Sequence, residues 1–276
     1  MSLRPMAIGV IVGGGDPLGG IAKVKSLGLD NCQMGVPDEE WRTGDGLEQI
    51  RVALKGADIT VTCVFCGFPG ESYADIPTIQ ATIGLVPRNM RAERLEMTKR
   101  HSDFARDVGA PILAAHIGYV PEEPEHPDYL GTLSAIRKVC DYCAGNGQKF
   151  ALETGQETAP TLVRFIRDVN RPNLGVNFDP ANMMLYGSGD PIEALDQVGR
   201  WIISVHCKDG DYPEEPGTLG IEYPLGEGKV GMPRYIAKLK ALGYSGPLTI
   251  EREISGEEQV KDIRRAIALL EELRDA

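Results

Sequence analysis

Residues 149–179 read KFALETGQETAPTLVRFIRDVNRPNLGVNFD. A short apolar run, KFALET, ends in a glutamate. A stripe of Leu162, Phe165, Ile166 and Val169 then recurs at helical spacing, and a second apolar run, NLGVNFD, ends in an aspartate. Short continuous apolar strands suit a sheet buried on both faces, and a helix between two of them is the crossover of a parallel pair. The unit repeats in both directions along the chain. Further candidate strands are AIGVIV (7–12), LDNCQM (29–34), DITVTCVF (58–65), PILAAHI (111–117), WIISVHC (201–207) and PLTIERE (247–253). Amphipathic stretches lie between them, among them Met90, Met97, His101, Phe104 and Val108, and later Val260, Ile263, Ile267 and Leu270. Asp16-Pro17, Asp190-Pro191 and Met232-Pro233 place proline where a first helical turn tolerates it. A doubly wound open sheet would use the same alternation. The count of eight decides for a single (β/α)8 TIM barrel over residues 1–276, its active site at the carboxyl ends of the strands.

The chain has 276 residues, a length at which one α/β barrel is as natural as two smaller domains. Its hydrophobic fraction of 42% and charged fraction of 25% are those of an ordinary globular protein. With 29 Lys and Arg against 40 Asp and Glu, the net charge of −11 disfavours a nucleic-acid partner, which a basic face would meet. No run approaches the roughly 18 apolar residues of a membrane span. The start, MSLRPMAIGVIVGGG, imitates a signal peptide only weakly and reads as a first buried strand, so the expected location is the cytoplasm. Cys63/Cys66 and Cys140/Cys143 have C-x-x-C spacing. The first pair lies on a strand, whose i and i+3 side chains leave on opposite faces. The second continues the helical stripe of Leu133 and Ile136. All are expected to pack as small hydrophobes.

In a barrel the informative residues are polar groups at strand ends. These are His116, Glu153, Asp179, His206 and Glu251, the last four on the fifth to eighth strands. A buried carboxylate is costly unless paired or metal-bound, and three of them converging on a histidine call for a counter-charge. One divalent ion supplies it, and the mixed O/N ligands suit Mn²⁺, Mg²⁺, Co²⁺ or Zn²⁺ without choosing among them. Singly, each residue has a plainer reading: a strand-end glutamate is often an arginine partner, and His116 or His206 a satisfied core histidine. Their joint placement is what favours a site. His101 falls on a helical stripe and reads as packing, and His126, in PEEPEHPDY, reads as solvated. GGGDPLGG at 13–20 matches neither the dinucleotide nor the P-loop pattern and reads as a tight loop capping a helix with Asp16.

LETGQE around Glu153, NFDPANM around Asp179, VHCKD around His206 and PLGEGKVGMPRYIAKLKALGYSGPLTIERE around Glu251 resemble the sugar phosphate isomerase/epimerase family of xylose isomerase-like TIM barrels. The resemblance covers the second half well and the first half mainly in strand order and in AHIG at His116. It implies that Glu153, Asp179, His206 and Glu251 bind one divalent metal, and that Glu153 and Glu251 act as acid and base on opposite faces of a substrate. His116, Glu157, Asn182 and Lys208 are the candidate substrate contacts; some relatives carry histidine at the position of Asn182.

The expected activity is that of a metal-dependent sugar, keto-sugar or sugar phosphate isomerase or epimerase. It removes a proton α to a carbonyl through an enediolate that a Lewis acid stabilises. A lyase of the inosose dehydratase type shares the first step and is the alternative. A metal-dependent hydrolase or an abasic-site nuclease like endonuclease IV is the third reading, disfavoured by four histidines in all and by the charge. The expected partner is a small carbohydrate, with homo-oligomerisation open. Lys208 either pairs with Asp209 or meets a substrate anion. With Arg88, Arg91 and Arg252 as further cations and no clear cluster, phosphorylated and free substrates both stay open. Trp41, Phe68 and Tyr119 are candidates for stacking on a sugar ring or for loop packing.

Overall fold

A computed structural model describes residues 3–215 and 217–276. Eight parallel strands close into a barrel: β1 (Ile8–Val12), β2 (Asn31–Gly35), β3 (Thr60–Phe65), β4 (Ile112–Ala115), β5 (Lys149–Glu153), β6 (Leu174–Phe178), β7 (Ile202–Cys207) and, after a small hairpin, β10 (Leu248–Ile250). Each strand pairs with the next in chain order, and β10 closes the ring on β1 with Ile8 opposite Leu248. The hairpin is β8 (Asp209–Gly210) with β9 (Glu222–Tyr223). Around the barrel lie α1 (Pro17–Ser26), α2 (Gly44–Ala57), α3 (Ile76–Thr82), α4 (Arg88–Asp107), α5 (Pro127–Gly145), α6 (Ala159–Val169), α7 (Pro180–Leu185), α8 (Pro191–Val198), α9 (Met232–Ala241) and α10 (Glu257–Asp275). The expected strands and helical stripes are all present. The short helices α3 and α7 and the hairpin lie in stretches whose sequence carries no periodic signal.

The period of two along each strand divides the interior in two. Phe150 and Leu152 of β5, Val176 and Phe178 of β6 and Leu113 of β4 belong to the main core. The alternate residues form a separate small cluster of Cys63, Ala114 and Ala151, packed by Phe65, Ile112 and Ile203. Above it comes a polar tier, Gln33, Asn177, Ser204 and Thr249, all buried and hydrogen-bonded to one another through the Gln33 amide. Still higher are the strand-end residues Glu153, Asp179, His206 and Glu251. The six cysteines are free and buried, as packing residues should be.

Two loops over the strand ends are tied down by buried charge. Glu71, in the β3–α3 loop, accepts from the amides of Phe68 (2.8 Å) and Gly84 (2.7 Å). Arg94 of α4 donates to the carbonyls of Thr82 (2.6 Å) and Gly84 (2.8 Å) and lies over the Phe68 ring. Asp209 organises the segment PLGEGKVG: its carboxylate accepts from the amides of Gly210 (2.9 Å), Gly226 (2.9 Å) and Val230 (3.1 Å). A Cβ on Gly228 would lie 2.3 Å from Asp209 Oδ1, so the approach of that loop requires glycine. Lys208 therefore does not pair with Asp209, whose oxygens are committed to backbone donors. Asp209→Ala is expected to cost about 1–3 kcal/mol by orphaning these amides, read as a lower urea midpoint; an unchanged midpoint would mean that water replaces the carboxylate without loss.

Candidate metal centre

Each member of the strand-end cluster is aimed by a local device. Glu153 ends β5, on the same face of the strand as Ala151. Its Oε2 accepts from the Asn177 amide, and Asn182 Nδ2 lies 3.3 Å from Oε1. Asp179 follows β6 and is the N-cap of α7: Oδ1 accepts from the Asn182 amide at 2.9 Å, so Oδ2 is turned the other way. The backbone amide of Asp179 is in turn bound to Thr154 Oγ1 at 2.7 Å. His206 lies on β7 between Ser204 and Lys208, and Glu251 follows β10 directly.

These side chains converge on His206 Nδ1. Glu153 Oε1 is 2.9 Å away, Glu251 Oε2 3.1 Å and Asp179 Oδ2 3.5 Å. Ligand atoms from all four residues lie within 4.8 Å of one another. His206 Nδ1, Asp179 Oδ2 and Glu251 Oε2 are buried and have no hydrogen-bond partner among the described residues. Three orphaned polar atoms facing one point, in an O/N donor set, fit a divalent cation.

The electrostatics agree. Burial pushes Glu153 up to about 7, against the pull of His206. Burial also raises Asp179, opposed by Lys208 and His206. Burial would raise Glu251 too, but Lys208 and then His206 outweigh it and hold this carboxyl well below the usual range. Burial opposes charge on His206, yet Glu153 and Glu251 keep its imidazole well above the ordinary value. A field that favours a proton on Nδ1 favours a cation at the same place.

The orientation of His206 comes from a residue that motif reading passed over. Gln33 Oε1 lies 3.0 Å from His206 Nε2, while Gln33 Nε2 donates to Ser204 Oγ at 2.9 Å. With the amide nitrogen so committed, the carbonyl oxygen faces the imidazole, which makes Nε2 the donor and leaves Nδ1 to the carboxylates. The one signal for Gln33 was a polar residue inside the apolar run LDNCQM.

A cavity of about 380 Å³ opens above the cluster, its wall including Phe65, Tyr73, His116, Asn182, Tyr186 and Glu251. His116 is held neutral, its pKa lowered to about 3 by burial against the pull of Glu251. Phe65 stands edge-on to it, the centroids 5.9 Å apart. Lys208 is buried and reaches Glu253 Oε1 (2.7 Å), Asn182 Oδ1 (3.1 Å) and Glu251 Oε2 (3.4 Å). Glu157 is buried but not part of the cavity wall, and its Oε1 has no partner among the described residues. Of the aromatic candidates, Phe68 packs against His101 and Arg94, Trp41 packs on the core, and Tyr119 meets the edge of Tyr186. His126 is half exposed but also caps α5, its Nδ1 accepting from the Asp128 amide.

The model of the family described as "Xylose isomerase-like TIM barrel" matches residues 21–273. The solved structure of a xylose isomerase domain protein from Planctomyces limnophilus is 46% identical, with a TM-score of 0.94 and 98% of each chain covered. A D-psicose 3-epimerase structure determined in the presence of D-fructose has a TM-score of 0.74 at 17% identity, over 98% of this chain and 100% of the other, a likeness of fold. Among curated relatives, the L-ribulose-5-phosphate 3-epimerase UlaE of Escherichia coli is 26% identical over 82% of this chain and 78% of its own length. An uncharacterized protein of Methanocaldococcus jannaschii is also 26% identical, over 68% of this chain; the match spans 64% of that relative, less than two thirds. No helix among the described residues is long and apolar enough to cross a membrane.

Two outcomes follow from this geometry. Gln33→Ala is expected to weaken Mn²⁺ binding about 10–100-fold, read from the free-ion signal in electron paramagnetic resonance; unchanged affinity would show that His206 needs no such anchor. Glu157 is raised to about 8 by burial from a reference of 4.5. The native state thus holds one proton more than the unfolded chain between these values. The stability contributed by the neutral carboxyl is complete below the unfolded pKa and is lost as pH rises toward 8, by about 1.4 kcal/mol per pH unit. Glu157→Gln should remove that slope in urea titrations across this range, and a slope kept in the variant would assign it elsewhere.

Proposed function

The chain belongs to the xylose isomerase-like TIM barrel family, and on that premise we propose that it is a divalent-metal-dependent isomerase or epimerase acting on a sugar by moving a proton α to a carbonyl. The observation that carries the reading is the convergence of Glu153, Asp179, His206 and Glu251, with three of their buried polar atoms left unpartnered at one point. Relatives whose names include ketose 3-epimerase activity support the same class of reaction.

The four residues would hold Mn²⁺, Mg²⁺, Co²⁺ or Zn²⁺. Such an ion, when bound, supplies Lewis-acid stabilisation for the negative charge that develops on a carbonyl oxygen. The protein's own groups then account for the proton. Glu153 and Glu251 come from strands separated by β6 and β7 and reach the site from different sides of it. Two carboxyls that flank one point from different strands are the pairing that proton transfer between two faces, or between adjacent carbons, requires. His116, neutral and on the cavity wall, and Asn182 are placed to orient hydroxyl groups. Phe65, Tyr73 and Tyr186 supply aromatic surface to the wall beside them.

The test is deuterium incorporation from D₂O into ketoses in the presence of Mn²⁺. Glu153→Gln and Glu251→Gln are each expected to lower incorporation by about 10²–10⁴-fold, with circular dichroism unchanged. Undiminished exchange in both variants would remove these carboxyls from the reaction. Products that have lost the mass of one water would move the protein to the lyase class.

A further inference from the structure

We propose that the substrate is an uncharged polyhydroxy ketone of monosaccharide size, without a phosphate. This rests on the functional reading above and narrows it. A phosphate monoester carries nearly two negative charges at neutral pH and is held, where proteins bind it, by cations or by free backbone amides. The cations that the sequence offers for this purpose are committed elsewhere. The Lys208 ammonium donates to Glu253 Oε1 and Asn182 Oδ1, and it is held as an ion pair 3.4 Å from Glu251 Oε2, with carboxylates on two sides of its charge. Arg252 is spent on Asp262 (2.8 Å) and Glu222 (3.2 Å). Arg88 and Arg91 both reach Asp128, and Arg91 also donates to the carbonyls of Leu85 and Val86.

Two backbone amides at the cavity are used as well. The helix that opens onto it, α7, begins at Pro180, and its Asn182 amide is taken by Asp179 Oδ1. The amide of Gly220, packed against the end of α7, donates to the Leu185 carbonyl at 2.8 Å. Beside His116 and Asn182, neither of them a cation here, the cavity presents acceptor oxygen and aromatic surface. Glu222, Glu251 and Glu253 line it together with Phe65, Tyr73 and Tyr186. Carboxylates repel a dianion and accept hydrogen bonds from hydroxyls, and ring faces cover the C–H surface of a sugar. A volume of about 380 Å³ lies at the small end of ligand sites, the size for one sugar ring or open chain.

The experiment measures binding and exchange separately on the Mn²⁺-loaded protein. A panel of ketopentoses and ketohexoses is titrated by calorimetry, each beside its own terminal phosphate ester, with L-ribulose and L-ribulose-5-phosphate as one pair. The expected result is that the free ketose binds at least tenfold more tightly in each pair in which binding is seen. Glu253→Gln, which releases Lys208 from its closest partner, should narrow that ratio by strengthening the ester. Equal or tighter binding of the esters, or no binding by any member of the panel, overturns the inference. The functional reading is judged on deuterium exchange, so free ketoses that bind more tightly than their esters but do not exchange would sink that reading while the preference of the cavity for an uncharged ligand stands.

Discussion

Three carboxylates and one imidazole are forced to a single point in the mouth of a closed barrel, and much of the structure serves to make that tolerable. Each carboxylate removed from water costs several kcal/mol unless it is matched. The chain matches them unevenly. Lys208 reaches Glu251, and the amides of Asn177 and Asn182 serve Glu153. The first turn of α7 takes one oxygen of Asp179. What is left over, three polar atoms facing inward, is the part that a cation completes.

The barrel interior is graded to support this arrangement. At one end the small side chains of Cys63, Ala114 and Ala151 make room for Phe65, Ile112 and Ile203. Above them Gln33, Asn177, Ser204 and Thr249, from four different strands, form a hydrogen-bonded tier on which the charged residues stand. In most barrels such a layer is filled by branched apolar side chains. Here it is polar because its upper surface has to orient an imidazole and a carboxylate, and an apolar layer would leave His206 Nε2 without an acceptor.

The loops add the second constraint. Glu71 with Arg94, and Asp209 with the glycines of PLGEGKVG, use buried charge against backbone amides and carbonyls to hold irregular chain over the strand ends. These anchors lie outside the cavity. They set where Tyr73 and Glu222 stand, and so they act on what the cavity accepts without touching it. Of the acidic and aromatic wall, Tyr73 and Glu222 come from these loops, Tyr186 from the end of α7, and Phe65, Glu251 and Glu253 from strands of the barrel and the chain that follows them.

The amino-acid sequence alone determined the architecture and the four convergent residues. The cause is that a parallel strand buried on both faces must be continuously apolar, so a Glu, Asp or His at its end stands out against the run. It also marked the helix starts at Asp16 and Asp190 and the packing role of the cysteines, because these depend on neighbours a few residues away. Partners distant in the chain stayed illegible: Gln33 meets His206 across 173 positions, and Lys208 chooses Glu253 and Glu251 over its neighbour Asp209. The aromatics that the sequence offered for a sugar ring, Trp41, Phe68 and Tyr119, do not line the cavity, whose wall takes Phe65, Tyr73 and Tyr186 instead. Which charges are spent on one another and which are left for a ligand is decided when β2, β7 and β10 are brought side by side around one axis, and local spacing carries no record of that.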